Sequence, residues 1–181
     1  MNQLISDLLD FARSQHAAIP IKPATCELRE IAADVIAEFK LAEPDVDIRV
    51  EPQSGCEGQW DRARMAQVFQ NLIGNAIQHG VPDTPITVQI GCDAERVWAR
   101  VENRGTLATD ERHRIFEPFR SHPSSKGLGL GLYIARAIVE AHGGTIAVDS
   151  NAEWTSFLVT LPLHAKPQPK THRSSEFRPL A

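Results

Sequence analysis

Residues 126–131 read Lys-Gly-Leu-Gly-Leu-Gly, and an apolar helical pattern, Leu132-Tyr133-Ile134-Ala135-Arg136, follows directly. Gly127, Gly129 and Gly131 stand at every second position, with no Cβ to shield their backbone N–H groups. At a helix start, unpaired amides and the helix dipole both favour an anion, so the run outlines a phosphate cradle. A second polar pattern lies upstream, in Asn71-Leu72-Ile73-Gly74-Asn75-Ala76-Ile77-Gln78-His79-Gly80. Asn71, Asn75 and Gln78 or His79 recur at helical spacing, which gathers them on one face opposite Leu72, Ile73, Ala76 and Ile77. Asn is costly in mid-helix, a sign that the pair serves something beyond solvation. An amide oxygen suits magnesium, a hard ion that keeps phosphates and waters in its shell.

The elements that must position these residues are legible as periodicities. Leu4, Ile5, Leu8, Leu9 and Ala12 repeat at helical spacing, and Ile19-Pro20-Ile21-Lys22-Pro23 follows as an extended linker. Thr25 is the expected N-cap of a second helix with Leu28, Ile31, Ala32, Val35, Ile36 and Phe39 on its core face, ending before Pro44. Val46, Ile48 and Val50 alternate as a strand, and Asp61 is placed to cap the helix that bears Asn71 and Asn75. Ile86 to Ile90 and Val97 to Val101 read as a hairpin. The helix after the glycines stops at His142-Gly143-Gly144, and Thr145 to Val148 and Phe157 to Leu161 form a last hairpin. This order implies an α+β fold, a two-layer α/β sandwich with helices on one face of a mixed sheet and a short N-terminal helical appendage.

Bulk properties remove several function classes. A net charge of −4 argues against a broad nucleic-acid surface. No apolar run is long enough to span a bilayer and no signal-peptide pattern opens the chain, so a cytoplasmic location is expected. Cys26, Cys56 and Cys92 are odd in number and widely spaced, which predicts three reduced thiols. A Rossmann site is excluded because Ser121-His122-Pro123-Ser124-Ser125, not a strand, precedes the glycines. The Gly-Lys-Ser/Thr ending of a P-loop is also absent.

Beyond the asparagine box come Asn103-Arg104-Gly105 at a strand end, Phe116-Glu117-Pro118-Phe119, the glycine run, His142-Gly143-Gly144 and Thr155-Ser156-Phe157. This ordered series resembles the catalytic ATP-binding domain of sensor histidine kinases, a two-layer sandwich of the Bergerat type, over residues 26–163. Residues 1–25 resemble the end of that family's dimerisation hairpin with its linker, and residues 164–181 read as a disordered tail. The resemblance implies ATP and Mg2+ as ligands. It makes Asn75 the magnesium ligand, with Asn71 supporting the phosphate or metal, and puts Gln78 and His79 near phosphate and ribose or base. Asn103 would read adenine, with Gly105 and Thr155 beside it. Gly127, Leu128, Gly129, Leu130 and Gly131 would line the phosphates, Phe116 and Phe119 would anchor the lid, and Lys126 could reach a terminal phosphate. Partners implied are a phosphoacceptor hairpin, a response regulator and a second subunit.

Departures from the family pattern shape the functional expectation. Asn103 replaces the usual Asp, and its carboxamide can accept from the adenine amino group while donating to the ring nitrogen. Leu107 replaces a glycine, which predicts a stiffer hinge, and Trp154 stands where glycine is common. The family's His-Glu-x-x-x-Pro acceptor is absent, and His16 lacks the acidic neighbour. The sequence therefore reads as a kinase domain that transfers the ATP γ-phosphoryl to a histidine outside this chain. The alternatives are a non-catalytic nucleotide-binding regulatory module and an anti-sigma-factor-like serine kinase. A hydrolytic ATPase of the gyrase type would want a carboxylate base at position 71, and an amide cannot accept a proton from water.

Overall fold

The computed structural model describes residues 2–15, 18–51, 57–120 and 127–163. Its elements are α1 (Asn2–Ser14), β1 (Ala24–Glu27), α2 (Leu28–Ala42), β2 (Ile48–Glu51), β3 (Glu57–Trp60) and α3 (Arg62–His79), then β4 (Ile86–Cys92), β5 (Arg96–Arg104), α4 (Thr109–Arg112), α5 (Gly131–Ala141), β6 (Thr145–Ser150) and β7 (Trp154–Pro162). Five strands form one sheet in the order β2-β4-β5-β7-β6. β2 runs parallel to β4, with Ile48 opposite Ile86, and the other pairings are antiparallel. The expected mixed α+β sandwich is what the chain adopts.

Strict alternation explains the sheet. Val97, Ala99, Val101 and Asn103 on β5, and Thr155, Phe157, Val159 and Leu161 on β7, all turn to the buried face. α2, α3 and α5 cover that face through Leu28, Ile31 and Val35, through Met65, Val68, Leu72 and Ile73, and through Ile134, Ile138 and Val139. Asp61 caps α3 as expected, its carboxylate accepting from the Arg64 N–H at 3.1 Å.

The structure corrects several local expectations. Thr25 does not cap α2: it lies in β1, where its hydroxyl accepts from Gln59 Nε2 at 2.7 Å. α2 begins after Glu27, which makes no side-chain capping bond. The partner strand β3, Glu57-Gly58-Gln59-Trp60, carries no apolar alternation in the sequence. Gly58 is required there, since a Cβ would overlap the fully buried Trp60 ring. Trp60 Nε1 in turn donates to the Pro162 carbonyl at 3.1 Å. Ile19, expected in a linker, is buried in the core at 1% exposure. The thiol expectation also fails: Cys92 is disulfide-bonded while Cys26 is free, and Cys56 lies outside the described residues. Spacing in sequence carries no information about which thiols meet in space. No helix among the described residues is long and apolar enough to cross a membrane.

Candidate functional site

α3, α5 and the C-terminal end of β5 carry the residues singled out above. Asn71 is half-buried on α3, and its Nδ2 is buried without a hydrogen-bond partner. A Cβ on Gly131, the first residue of α5, would sit 3.2 Å from Asn71 Oδ1, so this glycine lets the two helices close around the amide. Asn75 stands one turn further on, half-buried on the same face, and Gln78 and His79 follow, exposed, at the end of α3.

Just past that end of α3, Asn103 is only 3% exposed and packs against Gly80, where a Cβ would stand 3.5 Å from Asn103 Nδ2. Asn103 Nδ2 donates to the Arg104 carbonyl at 2.9 Å, while Oδ1 is buried with no partner. One of the two Nδ2 protons is thus taken by the backbone, and Oδ1 is open to accept. Asn71 Nδ2 and Asn103 Oδ1 are two of the three orphaned buried side-chain polar atoms among the described residues. Buried polar groups are almost always paired, so such orphans point at a ligand. From Asn71 to Gly80, the residue just past α3 against which Asn103 packs, is nine residues, about 14 Å along the axis, a separation comparable to the length of an extended nucleotide.

A chain of hydroxyls fixes the turn after Asn103. Thr155 Oγ1 donates to the Gly105 carbonyl at 2.9 Å and lies 3.0 Å from Ser150 Oγ, which accepts from the Leu107 N–H at 2.9 Å. Each hydroxyl has one proton, so the chain runs one way: Leu107 N–H to Ser150, Ser150 to Thr155, Thr155 to Gly105. Thr155 spends its proton on the backbone and acts here as a clamp. Ser150, at the end of β6, belongs to none of the motifs legible in the sequence. Gly105 has φ +137 and approaches the His79 carbonyl, so it needs to be glycine. Leu107 needs no such freedom, because its backbone lies outside the positive-φ region. The Trp154 turn is held by Asn151, whose Oδ1 accepts from the Trp154 N–H at 2.9 Å, and Arg104 lies 5.1 Å over the indole.

The three glycines prove different from one another. Gly127 has open space where a Cβ would be, Gly129 has φ +68 and a Cβ there would overlap the Arg120 backbone, and Gly131 is closed by Asn71. Only Gly127 is an open approach to backbone amides; the other two shape the turn. Leu130 is buried at 1% exposure and anchors the turn in the core, while Leu128 is 43% exposed. Phe116 packs edge-on against Phe157 at 6.3 Å. Phe119 does not enter the core: it is 55% exposed, has φ +61, and packs against Phe11 of α1 at 4.9 Å. Lys126 and His16 lie outside the described residues.

His142 closes the far end of α5 on α3. Its Nε2 accepts from the Asp61 N–H at 3.0 Å, and Nδ1 lies 2.8 Å from the Ile138 carbonyl, to which it donates in that tautomer. Burial pushes its pKa below the usual histidine value, although the Ile138 carbonyl and Asp61 pull the other way.

Comparison with known proteins places this geometry. Residues 60–165 match the family described as histidine kinase-, DNA gyrase B-, and HSP90-like ATPase. The chain is 33% identical over 167 residues to the sensor protein VanSC of Enterococcus gallinarum, covering 88% of this chain and 46% of that protein. It is 32% identical over 173 residues to the probable sensor histidine kinase TcrY of Mycobacterium tuberculosis, covering 90% of this chain and 36% of that one. The chain thus spans less than half the length of these curated relatives. The solved catalytic domain of histidine kinase ThkA superposes with a TM-score of 0.72 at 28% identity, covering 80% of this chain and 97% of that domain.

Proposed function

Because the chain belongs to the histidine kinase-, DNA gyrase B-, and HSP90-like ATPase family, as the ATP-binding domain of sensor histidine kinases, we propose that it binds Mg-ATP along α3. From there it presents the γ-phosphoryl to a histidine outside the chain. The observation that carries this reading is the pair of buried, unpartnered amide atoms, Asn71 Nδ2 on α3 and Asn103 Oδ1 beside Gly80 just past its end. An acceptor oxygen fits the exocyclic amino group of adenine, and an amide donor fits a phosphate oxygen.

The donor set also fits magnesium. Among the described residues no three His, Cys, Asp or Glu side chains gather into a metal site. A magnesium ion here would take the Asn75 amide oxygen, with nucleotide phosphates and waters completing its shell, and would neutralise phosphate charge. Asn71 offers no proton acceptor, so the chain itself holds no base for activating water at that position. In the proposed transfer, a ring nitrogen of the acceptor histidine attacks the γ-phosphorus and the bond to the β–γ bridging oxygen breaks. ADP leaves with that electron pair. This chain supplies positioning, which is most of what phosphoryl transfer requires.

α1 supports the link to a helical hairpin. Ile5, Leu8 and Leu9 are 62%, 51% and 53% exposed at helical spacing, an apolar stripe suited to a second helix and to a homodimer. A response regulator receiving the phosphoryl group, and a cytoplasmic setting for the reaction, belong to the same proposal. Incubation with γ-labelled ATP tests it: label should appear on an added acceptor hairpin, as an acid-labile phosphohistidine, and not on the chain alone. Stable self-labelling would place the acceptor within the chain. Nucleotide binding with no transfer to any hairpin would leave a regulatory nucleotide-binding module.

A further inference from the structure

α1 is seated by a buried polar cluster. Asp10 is 3% exposed, and its Oδ2 accepts from Arg64 Nη1 at 2.6 Å and from Gln67 Nε2 at 3.0 Å. Arg64 Nη1 also donates to Gln67 Oε1 at 2.8 Å, which completes a three-residue network between α1 and α3. At the next residue of α1, the Phe11 ring lies edge-on between Phe119 at 4.9 Å and Tyr133 of α5 at 5.5 Å. The Tyr133 hydroxyl lies 3.1 Å from Ser14 Oγ and accepts from Gln15 Nε2 at 3.1 Å.

Each group that receives α1 adjoins a group assigned to the nucleotide. Arg64, Gln67, Asn71, Asn75 and Gln78 are spaced by three, four, four and three residues, so they form one row along α3. Asp10 holds the first two members of that row, and the next two are the proposed phosphate and magnesium amides. Tyr133 is two residues beyond Gly131, which closes on Asn71. Phe119, in a left-handed backbone unusual for an aromatic residue, precedes Arg120, whose backbone supports Gly129.

We propose that α1 docking and nucleotide binding form one coupled equilibrium, with the Asp10–Arg64–Gln67 network as its latch. Seated α1 holds the row on α3, the start of α5 and Phe119 in the arrangement that accepts nucleotide. Undocked α1 exposes Arg64 and releases Phe119 from Phe11, and the site must then be ordered at the expense of binding. Linkage makes the effect reciprocal, so nucleotide must stabilise docked α1 by the factor through which docking tightens nucleotide. The inference rests on the nucleotide site proposed above.

The test uses the whole 181-residue chain with magnesium and a non-hydrolysable β,γ-imido ATP analogue. Calorimetric titration should show Asp10→Asn and Phe11→Ala each weakening binding about 5-fold or more, within the usual range of coupling between sites. Hydrogen exchange of the α1 amides should be slowed by the analogue in the unaltered chain and accelerated in both variants. Phe11→Ala removes an aromatic contact without stranding a buried charge, so it remains informative if Asp10→Asn unfolds. Affinity unchanged within twofold in a folded variant whose α1 exchanges faster would overturn the linkage and leave a plain structural clasp. An unaltered chain that does not bind the analogue would overturn the nucleotide site itself.

Discussion

The sharpest test of the site is the removal of one unpartnered oxygen. Asn103 Oδ1 is the amide's one acceptor and has no partner, while the Arg104 carbonyl at 2.9 Å from Nδ2 fixes which way the amide faces. A base with an amino group facing Oδ1 forms a hydrogen bond, whereas a keto group there sets two acceptors against each other in a buried pocket. Leaving one such buried group unpaired costs about 1–3 kcal/mol, which is about 5- to 150-fold in affinity. The unaltered chain should therefore prefer ATP to inosine triphosphate by a factor in that range, measured by calorimetric titration with magnesium. Asn103→Leu should abolish most of that preference, chiefly by weakening ATP. An undiminished preference in a folded Asn103→Leu chain would refute the assignment.

The Asp substitution that restores the family residue tests the same geometry from the donor side. Asn103→Asp replaces the Nδ2 donor with an oxygen facing the Arg104 carbonyl in a site 3% exposed. The lost hydrogen bond is worth about 1 kcal/mol, and an uncompensated buried carboxylate adds about 3–5 kcal/mol. Burial and the carbonyl both raise such a carboxyl's pKa above its unfolded value. Its protonated form can donate to Arg104, so stability should be intact in acid and fall as pH rises through the folded pKa. Urea midpoints at pH 5 and pH 8 would show it. A variant as stable as the parent at pH 8 and tighter for ATP would mean that the Arg104 carbonyl does not fix the amide.

Three further perturbations follow from the same contacts. His142 has a pKa lowered by burial, so its contribution to stability is complete above the unfolded value of about 6.5 and is lost as pH falls below it. The urea midpoint should drop between pH 7 and pH 5.5, and His142→Gln should flatten that slope; an unchanged slope would exclude His142 as its source. Gly129→Ala should destabilise the chain by about 1–3 kcal/mol or more through its positive φ and its clash with Arg120. Gly127→Ala should leave the melting temperature unchanged, and equal effects at the two sites would contradict their different surroundings. Ser150→Ala breaks the hydroxyl chain and strands the Leu107 N–H, costing about 1–3 kcal/mol in chemical denaturation, while Ser150→Thr should recover part of it.

What the sequence made legible divides along physical lines. α3, α5 and the paired strands were readable because their periods of 3.6 and 2 are imposed by one apolar face, and each residue reports its own burial. β1 and β3 were not, because their pairing depends on Gly58 making room for Trp60, a relation between side chains that no local period encodes. The asparagines were readable as residue types at helical spacing, yet the polarity each offers was not. Which way the Asn103 amide faces is set only when the turn at Arg104 brings a carbonyl to its nitrogen.

The α3 row carries this distinction furthest. Its spacing marks a polar face from Arg64 to Gln78, but spacing cannot say that the face is shared between two occupants. Asp10 lies 54 residues before Arg64, and only the folded chain brings its carboxylate to the head of the row. A helix that is polar on one side for a single reason would tolerate substitutions at each position independently. This one should not: Asp10, Arg64 and Gln67 share one buried network. Asn71 stands one turn from Gln67, with its Nδ2 still unpaired. Substitutions at Gln67 and Asn71 should therefore combine non-additively in nucleotide affinity, whereas each should be additive with a change at Gln89, on the distant strand β4. A double-mutant cycle showing additivity throughout would reduce the row to a coincidence of spacing.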